Sequence, residues 1–189
     1  MTDECLRSTP AAIFQALAAG RNLKEVREQF QLSPEQLQEL FSEVAGHFRD
    51  LEEGVWSLYC DGASRGNPGE AGAGAVLIDA LGVIKGQYGE YLGQTTNNVA
   101  EYQALILGLK MARNLGVKKI QVFADSELLV RQLKGQYRVK AAHLLPLYET
   151  AQRTRKEFET FAISHVPREM NSLADQLANR AIDQKTRPR

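Results

Sequence analysis

Residues 55–69, VWSLYCDGASRGNPG, join an apolar run to a glycine-rich run at Asp61. The apolar and aromatic run Val55–Cys60 predicts a β-strand that ends at Asp61. The run Gly62–Gly74 predicts a turn, because Gly-Asn-Pro-Gly favours neither a continued strand nor a helix. In open α/β folds, ligands settle where the strands of a sheet end. Asp61 is therefore a first candidate for chemistry.

The rest of the chain after residue 54 alternates strand and helix patterns. Further strands are predicted at Ala75–Ile78, Val83–Tyr91, Ile120–Ala124 and Ala162–Val166, with a turn near Gly82. Helices are predicted at Asn98–Leu115, closed by Gly116, and at Glu127–Leu133, His143–Phe158 and Ser172–Ile182. Three strands, a helix, a strand, helices, a strand and a helix favour an α/β fold with one mixed sheet.

Residues 1–53 predict a small all-helical domain of three short helices. Its helix starts are Thr9-Pro10, Asn22 and Ser33-Pro34, where Gln36 completes a capping box. Leu23, Val26 and Phe30 share one predicted face. The pattern is similar to a helix-turn-helix, but the third helix carries Glu35, Glu39 and Glu43, which DNA phosphates would repel. A domain that contacts protein, or simply packs, is the favoured interpretation. The predicted domain limits are 1–53, 54–185 and a tail at 186–189.

Composition and charge limit the possible classes of protein. Residues 1–53 hold ten acidic and five basic residues, whereas the remainder holds thirteen acidic and eighteen basic residues. A mildly basic module suits a polyanionic ligand, and an acidic module does not. No apolar run approaches the ~20 residues that cross a bilayer. Two cysteines build no disulfide framework, so we expect a cytoplasmic protein.

Four carboxylates stand at positions where a sheet edge can gather them. Asp61 and Asp125 follow predicted strands, Glu101 lies in the first turn of the long helix, and Asp175 lies near the start of the last helix. Four converging carboxylates would repel one another unless a cation neutralised them, and hard oxygen ligands suit Mg²⁺ or Mn²⁺. An acid at a strand end or a helix start is also commonly a cap, so spacing alone leaves their convergence open.

Four segments together resemble the motifs of type 1 ribonuclease H. They are residues 61–69 (DGASRGNPG), residues 95–101 (TTNNVAE), residues 124–126 (ADS) and residues 165–178 (HVPREMNSLADQLA). The resemblance covers residues 55–183 in order. It implies a ribonuclease H-like five-stranded mixed sheet flanked by helices. It also implies two divalent ions, Mg²⁺ or Mn²⁺, held by Asp61, Glu101, Asp125 and Asp175, and hydrolysis of the RNA strand of RNA–DNA hybrids to 5′-phosphate and 3′-hydroxyl ends.

The same resemblance implies contacts with the substrate. Gly66, Asn67 and Asn98 fall where the family reads the 2′-hydroxyls of RNA, and Thr96 falls where it grips a DNA phosphate. Plain helix capping is the alternative for Asn97 and Asn98. Many bacterial relatives carry a basic helix and loop between the third and fourth acids, and here that element is expected to be absent. Only Lys134, Arg138 and Lys140 are clustered there.

A further residue of the family assists turnover. His165 lies ten positions before Asp175, as the histidine of relatives does, but a structural hydrogen-bonding role is equally compatible with its position. Arg168 is the second candidate, because its guanidinium can contact the scissile phosphate or the product.

Two other functions stay open from the sequence. A ribonuclease H-like module can bind hybrid or RNA without cutting it, or the acidic helices can form a protein-interaction adaptor. We further expect a monomer whose residues 1–53 contact a protein partner.

Overall fold

The structure is a computed structural model that describes the backbone of residues 9–186 and the side chains of residues 9–46 and 54–185. Its internal contacts divide the chain into two units, Met1–Asp50 and Leu51–Arg189. Residues 1–8 of the predicted helical domain and residues 187–189 of the predicted tail lie outside the described residues. In the described part, every helix is too short or too polar to cross a bilayer.

From residue 9 onward, the N-terminal unit contains α1 (Pro10–Ala18), α2 (Leu23–Phe30) and most of α3 (Pro34–Glu53). The predicted start signals are confirmed: the Thr9 side chain accepts from the backbone of Ala12, and Ser33 and Gln36 form a reciprocal capping box. The shared face is only partly confirmed, since Val26 is buried whereas Leu23 is 49% exposed. The small core of this unit is built on Ile13, Ala16 and Val26.

The second unit contains a five-stranded mixed sheet in the order β3-β2-β1-β4-β5. Its strands are β1 (Trp56–Gly66), β2 (Gly69–Ile78), β3 (Ile84–Thr95), β4 (Lys119–Ala124) and β5 (Thr160–His165). The first three strands pair antiparallel, and β4 pairs parallel with both β1 and β5. This arrangement confirms the predicted fold class.

Helices cover both faces of this sheet. They are α4 (Asn97–Asn114), α5 (Glu127–Leu133), α6 (Leu145–Thr154) and α7 (Ser172–Thr186). Successive strand residues point to opposite faces. In β2, Ala73 and Ala75 pack in the core that includes α4, whereas a Cβ on Gly74 would lie 2.1 Å from the carbonyl oxygen of Ala174 in α7. The two long helices therefore lie on opposite faces.

The predicted turn over Gly62–Gly74 is wrong, and so is the placement of Asp61 at a strand end. β1 continues through Asp61 to Gly66, β2 begins at Gly69, and Asp61 pairs with Gly74. The glycines of this hairpin are needed mainly because helices pack against the strands. Only the short connection around Asn67 is the turn that the sequence predicted.

Other predicted limits shift by a few residues. β3 runs on to Thr95, four residues beyond its predicted end, and β5 spans Thr160–His165 rather than Ala162–Val166. The predicted helix His143–Phe158 is wrong in its limits, because 3₁₀ turns at Ala142–Leu144 and Arg155–Glu157 flank a shorter α6. Proline in the first turn of α6 explains its late start.

Candidate active site

Three carboxylates meet where the interior strands β1 and β4 separate: Asp61 in β1, Glu101 in α4 and Asp125 directly after β4. One oxygen from each of Asp61, Glu101 and Asp125 lies within 4.8 Å of the other two. Asp61 and Glu101 are 5% and 6% exposed, so water screens their charges poorly. Two buried carboxylates and the half-buried Asp125 at this separation can hold a cation.

The register of two parallel strands places Asp61 beside Asp125. Tyr59 of β1 pairs with Phe123 of β4, and the two acids each follow two residues later. Residues two apart on a strand point to the same face. β1 pairs with β4 only as far as Tyr59, whereas its pairing with β2 continues past Asp61. β1 and β4 are therefore no longer paired at the level of Asp61 and Asp125.

Gly62 brings the third carboxylate into range. A Cβ at this position would lie 2.1 Å from the backbone nitrogen of Glu101 and 2.3 Å from the carbonyl carbon of Ala100. α4 therefore rests directly on the backbone of β1 at Ala100 and Glu101, and only glycine permits this approach. Glu101 lies just past the first turn of α4 rather than within it as predicted, because the helix begins at Asn97. Asp61, one candidate ligand, is thus followed directly by Gly62, whose contact with α4 brings another candidate ligand, Glu101, close to it.

Glu101 has the surroundings expected of a cation ligand. Asn97 donates a hydrogen bond to its Oε1 at 3.4 Å, but its Oε2 is buried with no hydrogen-bond partner among the described residues. Burial raises the pKa of Glu101 well above its ordinary value, and the charges of Asp61 and Asp125 raise it further. A buried, unpartnered carboxylate oxygen is costly without a compensating positive charge. The residues present therefore fit a divalent cation.

Asp61, like Glu101, is buried among negative charges with little positive charge nearby to balance them. Burial, followed by the charges of Asp125 and Asp175, raises the pKa of Asp61 to about 8. Arg168 acts in the opposite direction, but it offsets only a small part of this effect. A carboxyl group that would hold its proton near neutral pH is one that a metal ion can ionise.

Asp175, the fourth predicted ligand, lies next to this group without belonging to it. It stands in the first turn of α7, and its side chain pairs with the guanidinium of Arg168. Arg168 lies in the 3₁₀ turn Arg168–Asn171 with 71% of its side chain exposed. The structure thus gathers three of the four predicted acids and places the fourth beside them.

His165 is the last residue of β5 and is exposed. It pairs in register with Ala124, which puts its ring beside Asp125, and its Nε2 lies 3.2 Å from the Asp125 carbonyl oxygen. This contact is the structural hydrogen bond that the sequence left open. His165 therefore contacts Asp125 and Arg168 contacts Asp175, so both lie beside the candidate acids.

The predicted substrate contacts surround the start of α4. Gly66 has a φ of +118°, and the Oδ1 of Asn67 accepts the backbone N–H of Asn97 at 3.2 Å. Thr96 is the N-cap of α4, since its Oγ1 accepts from Val99 at 3.3 Å. Capping by Asn97 or Asn98 is therefore wrong. Asn98 is exposed and lines a cleft of 540 Å³ together with Tyr137 and Arg138.

Residues 134–141, all within the described part, connect α5 to the following 3₁₀ turn without a helix. This finding confirms that the basic helix of many relatives is absent at this point. Arg138 and Lys140 remain exposed in the connecting loop and line the cleft beside Asn98.

Two amides of the site were not predicted as site residues. Asn97 bonds to Glu101, and Asn171 bonds to Asp125 at 3.0 Å. Asn171 lies four positions before Asp175, which is the spacing of one helical turn. This spacing could have indicated that Asn171 lies near the site, but it does not show that the amide contacts Asp125 rather than Asp175.

Comparison with known proteins agrees with this geometry. The family profile described as reverse transcriptase-like matches residues 59–181. Ribonuclease HI of Halobacterium salinarum is 42% identical over 125 residues, which is 66% of this chain and 63% of the relative. The chain belongs to the type 1 ribonuclease H family. The profile begins at Tyr59, so the N-terminal helices stand outside the match.

Solved structures of this ribonuclease H family superpose on the chain. The crystal structure of ribonuclease H1 from Halobacterium salinarum has a TM-score of 0.68 at 41% identity, covering 69% of this chain and 99% of that one. LC11-RNase H1 in complex with an RNA/DNA hybrid has a TM-score of 0.67 at 40% identity, covering 70% and 99%.

A bifunctional protein of Mycobacterium tuberculosis is 45% identical over 127 residues, or 67% of this chain. The chain spans only 35% of that relative's length, and 63% of the length of the Halobacterium enzyme.

Proposed function

We propose that this protein is an endonuclease that hydrolyses the RNA strand of RNA–DNA hybrids and leaves 5′-phosphate and 3′-hydroxyl ends. The observation that carries the proposal is the meeting of Asp61, Glu101 and Asp125 within 4.8 Å, with one buried Glu101 oxygen unpartnered. Membership of the ribonuclease H family and the likeness to a relative crystallised with a hybrid support the choice of substrate.

The three gathered acids, with Asp175 beside them, are the residues that would hold Mg²⁺ or Mn²⁺. Bound divalent ions would neutralise charge on the scissile phosphate and supply an activated water. Oxygen ligands with no nitrogen or sulfur donor in the group favour these hard cations over zinc or copper. Asn97 keeps one Glu101 oxygen oriented, so the carboxylate does not have to reorganise when a cation arrives.

The start of α4 suits the two strands of a hybrid. The hydroxyl of Thr96 accepts a bond from the helix backbone, so its own proton stays free to donate to a phosphate oxygen. The N-terminus of an 18-residue helix also attracts the same anion. Gly66, Asn67 and Asn98 offer backbone and amide groups to 2′-hydroxyls, which both donate and accept hydrogen bonds.

The proposal is tested with matched substrates. End-labelled RNA–DNA hybrid, double-stranded RNA and double-stranded DNA of one sequence are incubated with the protein in Mg²⁺ or Mn²⁺. We expect cleavage of the RNA strand of the hybrid alone, with products that a 5′-phosphate-dependent exonuclease degrades. Binding of the hybrid without cleavage in either metal would favour the alternative of a non-catalytic binding module.

For the N-terminal unit we propose a protein partner rather than DNA. Glu35, Glu39 and Glu43 stand four residues apart on α3 and are exposed, and no ion pair involves them among the described residues. Like charges at this spacing weaken a helix and repel phosphates. The full-length protein should bind duplex DNA no more tightly than residues 54–189 do, and tighter binding would contradict the proposal.

A further inference from the structure

Asn171 is the most deeply buried polar side chain beside the acids. It ends the 3₁₀ turn Arg168–Asn171 and is 1% exposed. Its Nδ2 donates to the carbonyl oxygen of Cys60 at 2.9 Å and to Oδ1 of Asp125 at 3.0 Å. The amide therefore joins β1, at the residue before Asp61, to the acid that follows β4.

The orientation of this amide is determined by its partners. Both partners are acceptors, so both protons of the NH₂ group are used. If the amide were flipped, its oxygen would face a carbonyl and a carboxylate. In the observed orientation Oδ1 is buried with no hydrogen-bond partner among the described residues. A buried oxygen without a hydrogen bond destabilises the folded protein. The role of Asn171 therefore lies in the two hydrogen bonds that its NH₂ group donates, not in its Oδ1.

Holding Asp125 in this way has a consequence for cation binding. Asp125 lies just beyond the end of β4, where the pairing with β5 has ended, so the orientation of its carboxylate depends on the groups that contact it. The bond to Oδ1 restricts rotation of the carboxylate, while Nδ2 makes no bond to the second oxygen. Ligating carboxylates in metal sites are commonly held by such outer partners, whose loss typically weakens metal affinity or activity by 10–100-fold.

We propose that Asn171 is a positioning residue that fixes the Asp125 carboxylate for divalent cation binding and ties it to β1 next to Asp61. This inference rests on the proposed function, because it assigns the amide a task in the same site. Asn171 does not bind the cation. It acts through Asp125 and through the separation of β1 and β4.

The test compares Asn171→Ala with a buried control in the full-length protein. Thr154 is 4% exposed, and its hydroxyl donates only to the Thr150 carbonyl within α6, so Thr154→Val removes a buried hydrogen bond without touching the acids. Mn²⁺ affinity is measured by calorimetry without nucleic acid, and kcat and KM are measured on the hybrid. Asn171→Ser, which keeps one hydroxyl donor, is measured in parallel and stands in if the alanine variant does not fold.

We expect Asn171→Ala to weaken Mn²⁺ binding and to lower kcat by roughly 10–100-fold each, with KM for the hybrid changed less than about twofold. Asn171→Ser should fall between it and the unmodified protein, and Thr154→Val should change neither quantity. An Asn171→Ala protein that is destabilised but binds Mn²⁺ normally would overturn the inference. So would an Asn171→Ser protein that binds Mn²⁺ normally when the alanine variant cannot be obtained. Failure of the unmodified protein to cleave hybrid would refute the proposed function alone, because the calorimetry still decides the role of Asn171.

Discussion

Asp61 is a residue whose burial among other acids is costly in the absence of metal. Its folded-state pKa of about 8 lies above its ordinary value of 3.8, chiefly because of burial. Between those two values the folded protein therefore binds more protons than the unfolded chain, so stability must fall as pH rises. The contribution is complete below the unfolded value and is lost as pH passes the folded one.

We therefore predict that the melting temperature in EDTA decreases between about pH 5 and pH 8 relative to that of Asp61→Asn, and that Mg²⁺ or Mn²⁺ reduces this decrease. Thermal denaturation of both proteins across this range checks it. The pKa values of Glu35 and Asp79 are lowered, so these residues make stability increase with pH in the more acidic range. Comparison with Asp61→Asn is needed to separate the effect of Asp61 from theirs. Equal pH dependence in the two proteins would contradict the prediction.

Arg168 and His165 present a choice between two residues for the step that assists turnover. Arg168 is accessible to a phosphate that could replace Asp175 as its partner, since 71% of its side chain is exposed, whereas His165 contacts a backbone carbonyl. We predict that Arg168→Ala lowers kcat by about tenfold and changes KM less, because its guanidinium acts as the reaction proceeds. Steady-state kinetics of Arg168→Ala and His165→Ala are compared. A large loss for His165→Ala with none for Arg168→Ala would return the role to the histidine.

At the scale of elements, the contact between β1 and α4 determines whether the site forms. Gly62→Ala would place a methyl group against the backbone of Ala100 and Glu101, where no side chain can move aside. We predict a loss of at least about 2 kcal/mol in unfolding free energy, with lower activity because Glu101 shifts. The opposite result is expected for Gly46→Ala in α3, which has open space and should gain about 0.5–1 kcal/mol. Urea denaturation of both variants measures this, and an unaffected Gly62→Ala protein would contradict the close approach.

The hairpin shows how far these elements could be predicted. The strand starting near Val55 and the turn residues at Asn67 and Pro68 were legible, because apolar runs and Asn-Pro-Gly have strong local preferences. The central part was misassigned, because glycine favours turns and also permits close packing, as at Gly62 and Gly74. Local sequence does not report that a distant helix lies against a strand.

The candidate site could be predicted from the sequence to a similar extent. The ordered motifs identified Asp61, Glu101, Asp125 and Asp175, and the structure gathers the first three within 4.8 Å. The local sequence pattern could not show which group each of these side chains contacts. The pairing of Arg168 with Asp175 and the bond from Asn171 to Asp125 both depend on how α7 packs against the sheet.

At the scale of the whole molecule, charge divides between the acidic residues 1–53 and the mildly basic remainder of the chain, which contains the four candidate acids. We predict that residues 54–189 fold and retain hybrid cleavage, since all four candidate acids lie within them. Hybrid affinity should be unchanged or slightly higher at low salt, because a segment of net charge −5 is removed. Affinities of the full-length and truncated proteins at two salt concentrations check this. A clear loss on truncation, steeper at low salt, would indicate that the helices bind nucleic acid.

The most direct test of the carboxylate site is single-turnover cleavage of one end-labelled RNA–DNA hybrid by the full-length protein and by Asp125→Asn. The substitution keeps volume and the oxygen that accepts from Asn171, but it removes the charge that a cation requires. We predict cleavage in Mg²⁺ or Mn²⁺ that EDTA abolishes, and a loss exceeding roughly 100-fold in Asp125→Asn with a melting temperature in EDTA that is unchanged or raised. Near-normal cleavage by Asp125→Asn, or an intact hybrid with the unmodified protein in both metals, would contradict the account.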